Sequence, residues 1–270
     1  MIYLFMQTRV LSKGEKQFIT KLISKKLRLD GRDFLTSRNH SIEMNPLPLS
    51  PSSCKVRWGN SYGETTEIIV SVTNEVSLNE KSGFSLSVKS LPGAFGPQIE
   101  SGEICNVIST TLQQFLINSD ALNQNKFVIY NSNYSWKLFI DVLVIQACSA
   151  VFDAAMVGIF HSLKNLSFPQ LIVTPGDSAA ELHFDIDDSK HPEYLLDTEK
   201  LPKLYSFSSG DKVIILDPSS LEVSALGSLL IVAASNTGSL LGLSHFGETG
   251  LSPSVISDIT QIVNQMIIEH

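Results

Sequence analysis

The sequence predicts an α+β protein made of two similar lobes. Three observations carry that expectation. Short alternating apolar runs are followed by helix-spaced apolar stripes, and this order occurs twice along the 270 residues. Between the two halves, Gly176 to Lys200 is polar and acidic, as a crossing between lobes would be. Hydrophobic residues make up 43% of the chain, ample for a buried core. The divisions read from this pattern are an N-terminal helix and opening loop over 1–40, a first lobe over 41–176, and a crossing segment with the second lobe over 177–270.

The elements follow in order. Lys13 to Lys26 is expected to be a helix, with Phe18, Leu22, Ile23 and Leu27 on one face and lysines on the other. Asp30-Gly31 is read as its stop, because glycine accepts the left-handed backbone of a helix end. Strands are expected at Cys54–Trp58, Thr66–Val76 and Phe84–Val88, the first two joined by a turn at Asn60–Gly63. Ile99–Leu116 carries a helical stripe through Ile104, Val107, Ile108, Thr111, Leu112 and Phe115. Strands return at Lys126–Tyr130 and Trp136–Ala147. Phe152–Leu163 is apolar nearly all round, as a central helix would be. A strand at Gln170–Thr174 closes the first half.

In the second half, strands are expected at Leu204–Phe207 and Val213–Leu216, then a short helix near Leu221–Leu226. Strands Leu229–Ser235 and Leu240–Phe246 are joined by the turn Asn236-Thr237-Gly238. Pro253 starts a final helix with the stripe Val255, Ile256, Ile259, Ile262, Val263 and Met266.

Charge is unusual in amount and in distribution. Charged residues are only 17% of the chain, against roughly 25% in average soluble proteins. Part of the surface is therefore expected to be covered by partners, the alternative being a Ser/Asn/Thr-rich free surface. The net charge of −7 argues against a simple nucleic-acid coat. Residues 9–38 nevertheless hold nine Lys/Arg against three acids, and all five arginines lie at or before Arg57. The three cysteines, Cys54, Cys105 and Cys148, match no metal pattern and read as reduced thiols, with Cys105 and Cys148 in core elements. No stretch approaches the ~20 apolar residues of a membrane span, so a soluble intracellular protein without membrane contact is expected. Sequons such as Asn133-Tyr134-Ser135 then read as chance matches.

Several segments together resemble the RNase PH-like subunits of the eukaryotic RNA exosome. Arg28-Leu29-Asp30-Gly31-Arg32, with Arg38 beyond it, resembles the family's R-x-D-G-R opening. Lys55–Val76 resembles its first hairpin, Leu138–Ile145 its central strand, and Val151-Phe152-Asp153-Ala154-Ala155 the helix that follows. Leu216-Asp217-Pro218-Ser219-Ser220-Leu221-Glu222 resembles its second-lobe "DPT-EE" segment, and Gly247–Ser252 the lead into the last helix. The matches are collinear from about residue 10 to 268. Within the family they are most similar to the ribosomal-RNA-processing protein type 42, with types 43 and 45 as alternatives.

The resemblance implies an RNase PH fold, of the ribosomal protein S5 domain 2-like kind. It implies a place in a six-membered ring of RNase PH-like subunits, S1/KH cap subunits above it, RNA passing through the central channel, and residence in the nucleus, nucleolus and cytoplasm. It also states what activity would require. Phosphorolysis needs cations on RNA phosphates, Arg and backbone donors around the attacking phosphate, and carboxylates for a divalent ion or acid catalysis. Active relatives carry an Arg-rich segment where Ser90–Asn125 has no Lys or Arg at all. Their cradle after the central strand is replaced by Cys148-Ser149-Ala150-Val151-Phe152, in which Val151 and Phe152 are expected to block close backbone approach. Asp217 is present, but the second acid falls near Leu229. The expectation is a subunit with no catalytic residues, no metal and no cofactor. The alternative is a divergent phosphorolytic 3′-exoribonuclease whose site is shared with a partner; a free-standing RNA-binding module is a further rival.

Asp217 is expected to cap the short helix after it. Lys55 and Arg57 share one strand face and either meet RNA phosphates or face solvent. Arg28, Asp30, Gly31 and Arg32 are expected to fix the opening loop through ion pairs. Asp185-Ile186-Asp187-Asp188, with His183 and His191 nearby, could suggest a metal but reads as a solvated acidic loop. The lysines of the first helix could touch RNA or a partner and individually read as solvated. No histidine has a distinctive spacing.

Overall fold

The computed structural model describes residues 11–59, 64–78, 83–96, 100–122, 127–130, 134–175, 182–187, 189–210, 213–247 and 250–268. The expected turn at Asn60–Gly63, the sequon at Asn133 and parts of the acidic crossing lie outside them.

Helix α1, Lys13–Ser24, opens with a capping box: Ser12 Oγ accepts from the Glu15 amide, and the Glu15 carboxylate accepts from the Ser12 amide. Ile19 and Ile23 are its buried face. It does not run to Asp30-Gly31. Lys26 takes a left-handed φ of 59°, its amide returns to Ile23 O, and the Leu27 amide returns to Leu22 O. Those paired bonds satisfy the helix-end carbonyls, so α1 ends earlier than a glycine-based reading expects.

The first sheet contains β1 (His40–Met44), β2 (Ser52–Trp58), β3 (Thr66–Leu78), β4 (Gly83–Ser90), β5 (Val128–Tyr130) and β6 (Tyr134–Gln146). Its order is β1-β2-β3-β6-β4, with β5 on β6. All pairs are antiparallel except β4–β6, which is parallel. A parallel neighbour needs a crossover, and α2 (Ser101–Asn118) lies on that path. Helix α3, Val151–Lys164, lies across β2 and β3 with ten buried residues. Gly158 permits that approach: a Cβ there would stand 2.6 Å from Val70 Cγ2.

The second sheet has the order β10-β9-β11-β12, from β9 (Lys203–Gly210), β10 (Val213–Leu216), β11 (Ser228–Ala234) and β12 (Leu240–Gly247). Every residue of β11 is buried, which explains its unbroken apolar run. Helices α4 (Ser220–Leu226) and α5 (Pro253–Ile268) complete this lobe. The two lobes share one core cluster, in which Leu229, Ile231 and Ala233 join the residues of α2 and α3.

Two expectations are corrected. The acidic crossing is not all loop: β8 (Leu182–Ile186) pairs antiparallel with β7 (Leu171–Pro175), and a short 3-10 turn occupies Thr198–Lys200. Phe184 and Tyr134 meet edge-on at 4.7 Å, which ties this hairpin to the first sheet. Cys148 is only half-buried, whereas Cys54 and Cys105 are both buried in the core. Burial pushes the Cys54 thiol up to about 11.

Candidate functional site

The loop after α1 and the end of β10 meet between the lobes. Leu216 N donates to Phe34 O at 2.7 Å, and Asp217 N donates to Ser206 O at 2.8 Å. Asp217 itself has φ 45°, which turns the chain sharply out of β10. Its carboxylate is almost wholly buried, so it must be paired.

Arg38 supplies most of that pairing. Its backbone N, Nε and Nη2 donate to the two Asp217 oxygens at 2.7, 2.9 and 2.5 Å. Arg32 Nη1 donates to Asp217 Oδ2 at 3.1 Å, and Trp58 Nε1 lies 3.4 Å from the same oxygen. Burial pushes the Asp217 carboxyl up, but the hydrogen bonds and charge of Arg38, with help from Arg32, hold it below the usual range. Asp217 therefore does not cap α4. Ser219 does, in a capping box with Glu222. The misreading had a physical origin: an Asp just before a helix is an ordinary cap, and its real partners lie about 180 residues away.

Glu222 has a second task. Arg28, fully buried, places Nε and Nη2 on the two Glu222 oxygens at 2.9 and 2.8 Å, a bidentate fork. Its remaining donors reach Leu216 O at 3.2 Å and Asp217 O at 3.0 Å. Arg32 Nε donates to Asp30 Oδ2 at 2.7 Å, and its Nη1 and Nη2 reach Thr36 O and Asp217 O. Arg38 Nη1 also lies 3.5 Å from Glu64 Oε2. Three guanidiniums thus face four carboxylates: Asp30, Glu64, Asp217 and Glu222. Gly31, with φ 76°, makes the turn that puts Asp30 and Arg32 side by side.

Beside this cluster lies a cavity of about 680 Å³, lined by Leu91–Gly96, Ile145–Cys148, Ser220, Leu221 and Glu64. Among the described residues, Glu64 is its only charged lining side chain. Burial pushes the Glu64 carboxyl up. Three backbone donors around the cavity are already used. Leu91 N donates to Val144 O, Ala147 N to Ala94 O, and Cys148 N to Thr66 Oγ1. Ser149 Oγ donates to Pro218 O at 2.5 Å and accepts from Arg38 Nη2 at 3.0 Å. Val151 and Phe152, at the start of α3, are wholly buried. Among the described residues, the guanidiniums beside this cavity are each engaged with a carboxylate.

Leu229 lies wholly buried in β11. Asp185 and Asp187 are held apart from any metal-like set: Asp187 accepts from Ser189 and pairs with Lys190. Among the described residues no group of three or more His, Cys, Asp or Glu gathers as metal ligands would.

Lys55 and Arg57 point from β2 to the sheet face away from α3. Both reach Glu67 on β3, Lys55 Nζ at 2.6 Å and Arg57 Nη2 at 3.1 Å. The Lys55 hydrogen bond, more than that of Arg57, holds the Glu67 carboxyl below its usual range. Glu43, exposed on β1 directly opposite Lys55, shares this face, so two cations here meet two carboxylates.

The sequence reading overlooked the links from Arg38 to Asp217 and from Arg28 to Glu222. A signal existed. Asp217 ends the apolar run Val213–Leu216, so burial was foreseeable, and every arginine lies at or before Arg57.

Residues 36–169 match the family described as the 3′ exoribonuclease family, domain 1. The chain is similar to the exosome complex component Rrp42 of Methanothermobacter thermautotrophicus, 25% identical over 244 residues that cover 88% of this chain and 85% of that protein. It is similar to the exosome complex component rrp43 of Schizosaccharomyces pombe, 22% identical and covering 92% and 90%. Among solved structures, a chain of the Archaeoglobus fulgidus exosome with RNA bound to the active site superposes with a TM-score of 0.73 at 17% identity, covering 94% of this chain and 95% of that one. That likeness shows the fold, which is the α+β RNase PH architecture expected from the sequence.

Proposed function

Because the chain carries an RNase PH domain over residues 36–169, we propose that it is a non-catalytic ring subunit of an RNA exosome, most similar to the type-42 component. One observation carries the silence. The arginines of the opening loop, Arg28, Arg32 and Arg38, are all paired with buried or half-buried carboxylates; Glu64 is the one charged residue described in the wall of the larger neighbouring cavity, and in the smaller one Asp30 and Glu64 stand beside Arg32 and Arg38. An anionic nucleophile and an anionic RNA end would meet net negative charge in the larger cavity. The chain's role is then architectural. It braces a six-membered ring of RNase PH-like subunits beneath S1/KH caps, and RNA decay comes from another subunit. Lys55 and Arg57 are the chain's candidate contacts on the RNA path. A subunit of this kind works in the nucleus, nucleolus and cytoplasm.

The test is phosphorolysis of 3′-tailed RNA with phosphate and magnesium, run on the purified chain and on the complex that copurifies with it. No nucleoside diphosphate is expected from the chain alone, and stoichiometric RNase PH-like partners are expected in the complex. Robust release by the isolated chain would overturn the reading. So would a stable monomer that acquires no partner in cells.

A further inference from the structure

Another cavity lies between the lobes and meets the arginine cluster at Trp58, whose indole N–H lies on Asp217. It encloses about 270 Å³ and is formed by β1, β2, α3 and the start of β9. Aromatic and apolar groups dominate its wall: Trp58, Met156, Phe160 and Tyr205. His40 stacks on Trp58 with ring centroids 4.5 Å apart and planes 6° from parallel, a cross-strand pair set by the β1–β2 register.

Trp58 apart, the polar side chains of this wall have no hydrogen-bonding partner among the described residues. His40, His161, Tyr205 and Lys203 all line the cavity, and none of their side chains takes part in a hydrogen bond or ion pair among the described residues. Burial, with Lys164 and then His40 nearby, holds the His161 imidazole below its usual value, and burial outweighs the pull of Asp217 to do the same at His40. At neutral pH both rings are therefore uncharged, each with one donor and one acceptor nitrogen. Lys203, exposed at the start of β9, contributes the single cation of the wall.

Size and chemistry narrow the occupant. Pockets for drug-sized ligands span about 300–1,000 Å³, so this one suits a single planar ring system, with any larger part outside. Aromatic walls favour a flat π-system, and uncharged donor–acceptor groups suit the mixed edge of a nucleobase. A cation at the margin suits a phosphate.

We propose that this inter-lobe cavity binds one nucleoside monophosphate unit, its base among Trp58, Phe160 and Tyr205 and its phosphate toward Lys203. The unit can come from a free mononucleotide or from an unpaired nucleotide within RNA. The inference does not depend on ring membership, since it uses only groups of this chain.

Trp58 gives the readout. The chain has two tryptophans, so in full-length Trp136→Phe protein the fluorescence reports Trp58 alone. Titration with AMP and UMP should give saturable quenching. In that background, Tyr205→Phe should weaken binding about three- to ten-fold, the weight of one hydrogen bond. Lys203→Gln should weaken AMP about three- to five-fold and leave adenosine unchanged, as one exposed ion pair would. Both changes keep the bulk of the side chain, and near-ultraviolet dichroism checks that the fold is intact. Oligonucleotide hexamers of A and U distinguish the sources: competition tighter than AMP assigns the site to RNA, and failure to compete assigns it to free nucleotide. Absence of saturable quenching by any of these ligands in folded protein would overturn the proposal. So would quenching indifferent to both Tyr205→Phe and Lys203→Gln. Phosphorolysis plays no part in this readout, so its outcome and that of the subunit reading are separable.

Discussion

Asp217 and Arg38 close the two lobes on each other, Oδ1 standing 2.5 Å from Nη2 with both side chains buried. The pair fixes the opening loop against the end of β10, and Ser149 and Trp58 join it from the first lobe. In an active phosphorolytic site an aspartate would be kept for the reaction. Here donors of Arg38, Arg32 and Trp58 converge on it.

The first prediction follows from that pair. Asp217→Asn should destabilise the chain by about 3–5 kcal/mol, because Arg38 is left buried with only Glu64 opposite. Urea unfolding of the two proteins measures it. A catalytic Asp217 would behave the opposite way, with stability kept and phosphorolysis lost.

Glu67 offers a test of the β2 face. Glu67→Gln releases Lys55 and Arg57 from their shared carboxylate. If that face lies on the RNA path, RNA affinity of the assembled complex should rise. Each cation that then meets a phosphate should steepen the log–log salt slope by about 0.7. Lys55→Ala and Arg57→Ala should change affinity and slope in the opposite direction. An unchanged slope in all three would remove this face from the RNA path.

Asp153 predicts a pH dependence. It is wholly buried at the start of α3, where its carboxylate accepts from the Ser206 amide and hydroxyl. Burial, with Asp217 adding to it, raises its carboxyl to about 6 against the Ser206 hydrogen bonds. The folded state therefore holds this proton more tightly than the unfolded chain does. The resulting stabilisation is complete below the unfolded value and is lost as pH rises through about 6. Asp153→Asn removes the titration. The stability of the native protein relative to this variant should fall between pH 4 and pH 7, by roughly 2 kcal/mol at 1.36 kcal/mol per pKa unit, because part of the loss lies below pH 4. Denaturant midpoints at the two pH values give the difference, and a flat difference would contradict the burial argument.

Gly158 tests the seat of α3 on the sheet. Gly158→Ala would press a methyl group to within 2.6 Å of Val70 Cγ2, with Val56 and Ile68 close behind. Valine side chains on a central strand have little room to turn, so a loss of about 1–3 kcal/mol is expected despite alanine's better helix propensity. Thermal unfolding measures it.

Most of the fold was legible in the sequence because its signal is local. Period-two runs marked β2, β3 and β6, the stripe through Ile259 and Val263 marked α5, and Pro253 marked its start. The loss of arginines after Arg57 and the apolar residue at Leu229 were also visible in one dimension, and they framed the argument for silence. What the sequence could not supply was pairing over long separations. Whether Asp217 caps a helix or meets Arg38, whether Glu222 also clamps Arg28, and whether His40 and His161 share one cavity depend on how the lobes close. Periodicity reports which face of an element is apolar, while a buried charge is set by the partner that tertiary folding brings to it. That is why strands and helices could be read in advance, and why the neutralisation of the arginines, on which the function turns, was decided only in three dimensions.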